Sequence, residues 1–106
     1  MKFLVVLYRR PDWSPRAFRI YLRDVHGPMA LKIPGLARYV QNLPADDPNR
    51  KPPLWDAVVE LYFEDRDTME AGWASDEGRA ATEDLDVFAD LSRTSWSIVE
   101  ETRVTE

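Results

Sequence analysis

The segment Phe3-Leu4-Val5-Val6-Leu7-Tyr8 constrains the fold of this 106-residue chain more than any other. Side chains alternate across a strand, so Phe3, Val5 and Leu7 share one face and Leu4, Val6 and Tyr8 the other. Both faces are apolar, and such a strand needs cover on both sides of its sheet. The helical patterns further along are too few to cover two faces. A second copy of the same sheet is the simplest cover, which predicts a homodimer with two sheets facing each other.

The remaining pattern gives the other elements. Ser14 stands at an N-cap position with Pro15 after it, and Phe18, Tyr21, Leu22 and Val25 follow as one apolar stripe. Gly27-Pro28 is expected to break this helix, because a residue before proline is pushed out of the helical region. A short helical piece from Pro28 to Ile33 follows and ends at Pro34-Gly35. Leu36–Leu43 reads as a strand with Tyr39 on the face of Ala37, Gln41 and Leu43. Residues 44–53 hold four prolines and no periodicity, which suits either a stiff surface connection or a lid. Trp55–Glu64 alternates as a strand, with Ala57, Val59, Leu61 and Phe63 on its apolar face. Asp67 with Glu70 resembles a capping box, with Met69 and Trp73 as partners one turn apart. Ser75 caps a further helix with the stripe Ala81, Leu85 and Phe88, and Thr94 to about Arg103 forms the last strand.

The order β–α–β–β–α–β, with each helix split in two, predicts a single α+β domain over residues 1–106. Its architecture is ferredoxin-like: a four-stranded antiparallel sheet with helices on one face.

Formal net charge is −5, which argues against nucleic acid as a partner, since phosphate binding needs Lys and Arg in excess. The cluster Arg9, Arg10, Arg16, Arg19 and Arg23 runs against that balance and reads as a solvated helix face or an anion-attracting patch. There is no cysteine, which removes disulfides, thiolate metal sites and cysteine nucleophiles. No run approaches the ~20 apolar residues of a membrane span. The N-terminal apolar run lacks a signal-peptide cleavage site, so a cytoplasmic protein is expected.

His26 is the only histidine. Imidazole exchanges protons near neutrality, so His26 fits a general acid or base, or equally a helix-end cap. At the end of a helix, carbonyls would raise its pKa if it stays solvated. Tyr39 follows thirteen residues later and can converge with it if the chain folds back, as a hydrogen-bond donor to an oxyanion. Trp55, Tyr62, Trp73 and Trp96 are candidates to line an apolar pocket. Glu60, in mid-strand, is a candidate for a partly buried carboxylate with a raised pKa, or an exposed glutamate.

The stretch from His26 to Tyr39 carries His26-Gly27-Pro28, then Lys32-Ile33-Pro34-Gly35-Leu36, then Tyr39. It resembles the EthD family of dimeric α+β barrels, in which an HxP…K-x-P-G-L…Y pattern follows the first helix. Val6-Leu7-Tyr8-Arg9-Arg10 and Trp73-Ala74-Ser75-Asp76-Glu77-Gly78 add to the resemblance. It implies a ferredoxin-like dimeric α+β barrel with a pocket between sheet and helices. It does not imply a settled reaction. Relatives of the barrel include methylmuconolactone isomerases, polyketide cyclases and cofactor-free monooxygenases. The first expectation is a cofactor-free enzyme acting on a small apolar ring compound such as a lactone, quinone or polyketide-like catabolite. In the related lactone isomerases a His and a Tyr at matching positions serve the site, which places those roles on His26 and Tyr39. Those isomerases also use a cysteine and another histidine, and this chain has neither. Haem binding or degradation, with His26 as axial ligand, and a non-catalytic ligand-binding role in an oxidative degradation pathway are the alternative readings.

Overall fold

The computed structural model describes residues 1–105. The chain runs β1 (Lys2–Leu7), α1 (Pro15–Tyr21), a π-helical segment (Leu22–His26), α2 (Gly27–Ala30), β2 (Leu36–Asn42), β3 (Ala57–Phe63), α3 (Arg66–Ala74), α4 (Asp76–Phe88) and β4 (Ser95–Val99). The strands form one antiparallel sheet in the order β2-β3-β1-β4. This is the ferredoxin-like topology, with its helices on one face.

The sheet is open, which corrects the expected barrel. Strands β2 and β4 are its two edges, each paired with one neighbour only. Closing a sheet on itself takes strand tilt and a circumference that side chains can fill, which about eight strands provide and four do not.

Alternation sets what each face carries. Val5, Leu7, Ala57, Val59, Leu61 and Phe63 point to the helices and are buried. Leu4, Val6, Tyr8, Val58 and Tyr62 point the other way and are half-buried in the single chain. Phe18, Leu22 and Phe88 close the helix-side core with no exposed surface. Each contributes roughly 1.5–3 kcal/mol of apolar burial.

The first helix does not break at Gly27-Pro28. Gly27 keeps helical angles (φ −55°, ψ −50°), and its N–H reaches back five residues to the Leu22 carbonyl. Pro28 has no N–H, and its ring would collide with the carbonyl four residues back in an α-helix. Widening the preceding turn to a π register avoids both problems, and such π-bulges recur at functional sites. The wide turn also changes which residues face inward. Val25, expected in the apolar stripe, is 44% exposed, while His26 is 6% exposed.

Strand β2 contains a bulge between Leu36 and Arg38. The extra residue breaks the expected alternation: Leu36, not Ala37, shares the helix-side face with Tyr39 and Gln41 through the pairings Leu36–Phe63, Tyr39–Leu61 and Gln41–Val59. Gly35, at φ +81°, makes the turn into the strand. Asp65 rather than Asp67 caps α3, accepting the Thr68 N–H at 2.8 Å. The last strand ends at Val99, short of Arg103. The arginine cluster is largely engaged: Arg9 binds the Trp13 carbonyl and Asp56, Arg10 the Asp86 carbonyl, Arg19 the Pro44 carbonyl and Arg23 the neighbouring Asp24. No helix among the described residues is long and apolar enough to cross a membrane.

Candidate active site

Between the helix-side face of the sheet and α2, α3 and α4 lies a cavity of about 580 Å³. That size falls within the ordinary range of small-molecule sites. Its walls are mostly apolar, with Phe3, Val5, Leu61, Trp73, Trp96 and Ile98 prominent. His26 and Tyr39 both line it.

His26 reaches the cavity from the end of the π segment. Its Nδ1 lies 2.9 Å from Asp84 Oδ2. The Tyr21 hydroxyl donates to the other carboxylate oxygen, Asp84 Oδ1, at 2.6 Å. The Phe88 ring packs on both partners, with centroids 5.2 Å from His26 and 4.8 Å from Tyr21. Burial lowers the His26 pKa from its usual 6.5, and the hydrogen bond to Asp84 only partly offsets this. The expected rise at a helix end does not occur, because it required a solvated ring. Tyr21 is pushed up to about 12, first by burial and then by the Asp84 carboxylate.

Tyr39 is placed by β2 and by Gln41. The Gln41 amide donates to Tyr39 Oη at 3.1 Å and to the Leu22 carbonyl at 3.0 Å. That carbonyl belongs to the π turn, so one side chain ties Tyr39 to the segment that carries His26. Gly27 makes the approach possible: a Cβ there would stand 3.0 Å from Gln41 Nε2. Burial raises the Tyr39 pKa, so the phenol keeps its proton.

Of the other candidates, Trp73 and Trp96 line the cavity, and Trp55, Glu60 and Tyr62 do not. Trp73 packs against Phe3 at 5.1 Å, and its buried indole N–H has no partner. Trp55 precedes β3 and stays outside. Glu60 and Tyr62 stand on the open face, because alternation puts them opposite Val59 and Leu61. Glu60 is not a carboxylate with a raised pKa. Lys2 lies 2.6 Å away, and Asn42 and the Tyr62 hydroxyl also donate to it at 2.8 Å and 3.1 Å. These donors hold its pKa down at about 2.

Asp84 escaped the sequence reading, and Tyr21 and Gln41 entered it only as members of a helix stripe and a strand face, not as groups of the site. Asp84 left one trace: it falls three residues after Ala81 and four before Phe88, a carboxylate on the apolar side of α4. Among the described residues no group of three or more His, Cys, Asp or Glu side chains is placed to hold a metal ion.

The EthD domain model matches residues 10–92. The chain belongs to the EthD family. An uncharacterized 11.0 kDa protein from the thcB–thcC intergenic region of Rhodococcus erythropolis is 30% identical over 99 residues, covering 93% of this chain and 94% of that protein. The crystal structure of an EthD-family protein from Bacillus halodurans is 27% identical and superposes with a TM-score of 0.80, covering 96% of this chain and 99% of that one. SnoaB, a cofactor-independent oxygenase from Streptomyces nogalater, shares the fold at 12% identity, with a TM-score of 0.64 over 99% of this chain and 96% of its own. This EthD protein thus carries a buried His–Asp–Tyr cluster beside an apolar cavity, an arrangement consistent with small-molecule catalysis.

Proposed function

We propose that the protein is an enzyme that binds a small, largely apolar ring compound in the cavity between sheet and helices. His26 moves a proton and Tyr39 donates a hydrogen bond to the oxygen that gains charge. The observation that carries this reading is the convergence of both side chains on one apolar cavity, with His26 oriented from behind by Asp84. A general base held by a third group is a recurrent catalytic arrangement. Trp73 and Trp96 supply flat apolar walls for a ring. The fold shared with a cofactor-independent oxygenase supports an enzymatic rather than a carrier role.

A second copy of the chain covers the open face in this reading. Leu4, Val6, Val40 and Val58 give that face its apolar character, and Lys2 and Glu60 neutralise each other within it. A patch of this kind suits a two-fold interface, in which each copy presents the same surface.

The test is turnover and binding across a panel of lactones, quinones and phenolic rings, with His26→Ala as control. A compound consumed by the native protein and bound but not consumed by His26→Ala supports the reading. Binding with no turnover of any ring by the native protein would leave a carrier instead.

A further inference from the structure

Building on this acid–base reading, we infer that the substrate is a neutral carbonyl compound with an acidic hydrogen beside the carbonyl, held as its enolate between His26 and Tyr39. Asp84, Tyr21 and Gln41 are the positioning residues that make this possible.

The hydrogen-bond inventory assigns each proton. An ionised carboxylate only accepts, so Asp84 takes one hydrogen bond from Tyr21 at 2.6 Å and one from His26 at 2.9 Å. The proton of neutral His26 therefore sits on Nδ1. Nε2 keeps a lone pair, and no described residue donates to it. Burial favours this neutral ring over imidazolium in the resting protein. Tyr39 has the opposite polarity. Its oxygen accepts from Gln41 at 3.1 Å, and its single hydrogen has no acceptor among the described residues. The cavity thus offers one base and one hydrogen-bond donor.

The walls decide the charge of the guest. The ionisable residues lining the cavity other than His26 and Tyr39 are Glu70, Arg79 and Glu83. All three are exposed on α3 and α4, at the rim rather than in the depth. A carboxylate or phosphate placed against Val5, Leu61 and Trp73 would lose its hydration with no counter-charge, so a neutral guest is favoured.

A base and a donor facing a neutral guest are the two groups that deprotonation beside a carbonyl requires. The C–H bond next to the carbonyl breaks, and its proton passes to His26 Nε2. Its electron pair becomes the enolate π bond, while the carbonyl π electrons move to oxygen. Tyr39 then donates to that oxygen. The imidazolium faces Asp84, so the charge pair is stabilised from behind. Returning the proton to the same carbon, or to a conjugated one, gives back substrate or an isomer, and the step needs no oxidant or reductant.

Phenols of similar size and graded acidity, with their methyl ethers, probe this directly, because a phenolate mimics an enolate. Binding is followed through tryptophan fluorescence, and 15N NMR reads the tautomer of the single histidine. The native protein should show a proton on Nδ1 and a bare Nε2. Affinity should rise about tenfold or more from the weakest to the strongest acid, while the ethers bind weakly and alike. Asp84→Asn should flatten that slope and disturb the tautomer, and Tyr21→Phe should do the same more mildly. The Tyr21 variant keeps the test open if the Asp84 variant misfolds. Equal binding of phenols and ethers, or a proton on Nε2, would overturn the enolate assignment while leaving a ring-binding site intact. No binding by either series would overturn both.

Discussion

The two faces of the sheet treat ionisable groups in opposite ways. On the helix side, His26 loses water and gains a single carboxylate partner, and desolvation wins, so the ring rests neutral. On the open side, Glu60 keeps some water and gains three donors, and hydrogen bonding wins, so the carboxylate stays charged. The first arrangement leaves the second ring nitrogen of a cavity-lining His26 without a partner among the described residues. The second uses both carboxylate oxygens on neighbours and leaves no capacity for chemistry. In the proposed reading, the side chain that does the chemistry is the one whose partner occupies only half of it.

Charge placed on each face gives the largest contrast. Val5→Asp puts a carboxylate among the helix-side core, where Val5 is 4% exposed. It should cost more than about 4 kcal/mol and leave much of the chain unfolded in chemical denaturation. Val6→Asp, one residue along on the face proposed to meet a second copy, should leave a folded chain but shift sedimentation from the proposed dimer toward monomer. If both variants unfold alike, or if Val6→Asp leaves a dimer, the division of labour between the faces fails.

Removing the two ionisable groups is the next contrast. His26→Ala should lower turnover of a reactive ring compound by about 10²–10⁴-fold, the usual worth of a general acid or base. Glu60→Gln should leave turnover unchanged, since Glu60 faces away from the cavity. A smaller loss follows from Tyr39→Phe, which keeps the ring and deletes the donor: about tenfold in rate, or ~1.4 kcal/mol, with an unchanged melting temperature. Full activity in Tyr39→Phe would leave His26 acting without an oxyanion donor.

The pH dependence of stability sharpens the comparison with the smallest effect. The His26 pKa is lowered in the folded state, so the unfolded chain takes up the proton first as pH falls. Its contribution is complete above the unfolded value of about 6.5 and is lost as pH drops below it. Glu60 contributes above its unfolded value of 4.5, and that is lost as pH falls toward 2. Denaturation curves should therefore weaken in two steps on acidification. His26→Gln should erase the upper step and Glu60→Gln the lower one.

How much was legible depended on the reach of each interaction. Caps at Ser14 and Ser75 were readable because the hydroxyl and the N–H it accepts lie three residues apart. Asp67 misled because Asp65, two residues earlier, makes the same local bond. The bulge in β2 was hidden because it exists only relative to β3.

The sequence by itself determined the element order, the antiparallel ferredoxin-like arrangement and the two-sided first strand. All three follow from periods of 2 and 3.6 residues and from nearby turn and cap chemistry. The tertiary structure alone decided the state of each candidate side chain. Asp84 is 58 residues from His26, and Tyr21 is 63 from Asp84, so no local pattern records their meeting. Helix α4 brings the carboxylate to the imidazole, and the π turn rotates His26 inward to receive it. Lys2 and Glu60 meet across β1 and β3 in the same non-local way. A proton's position depends on the sum of desolvation and partners around a group, and folding assembles both from residues far apart in the chain.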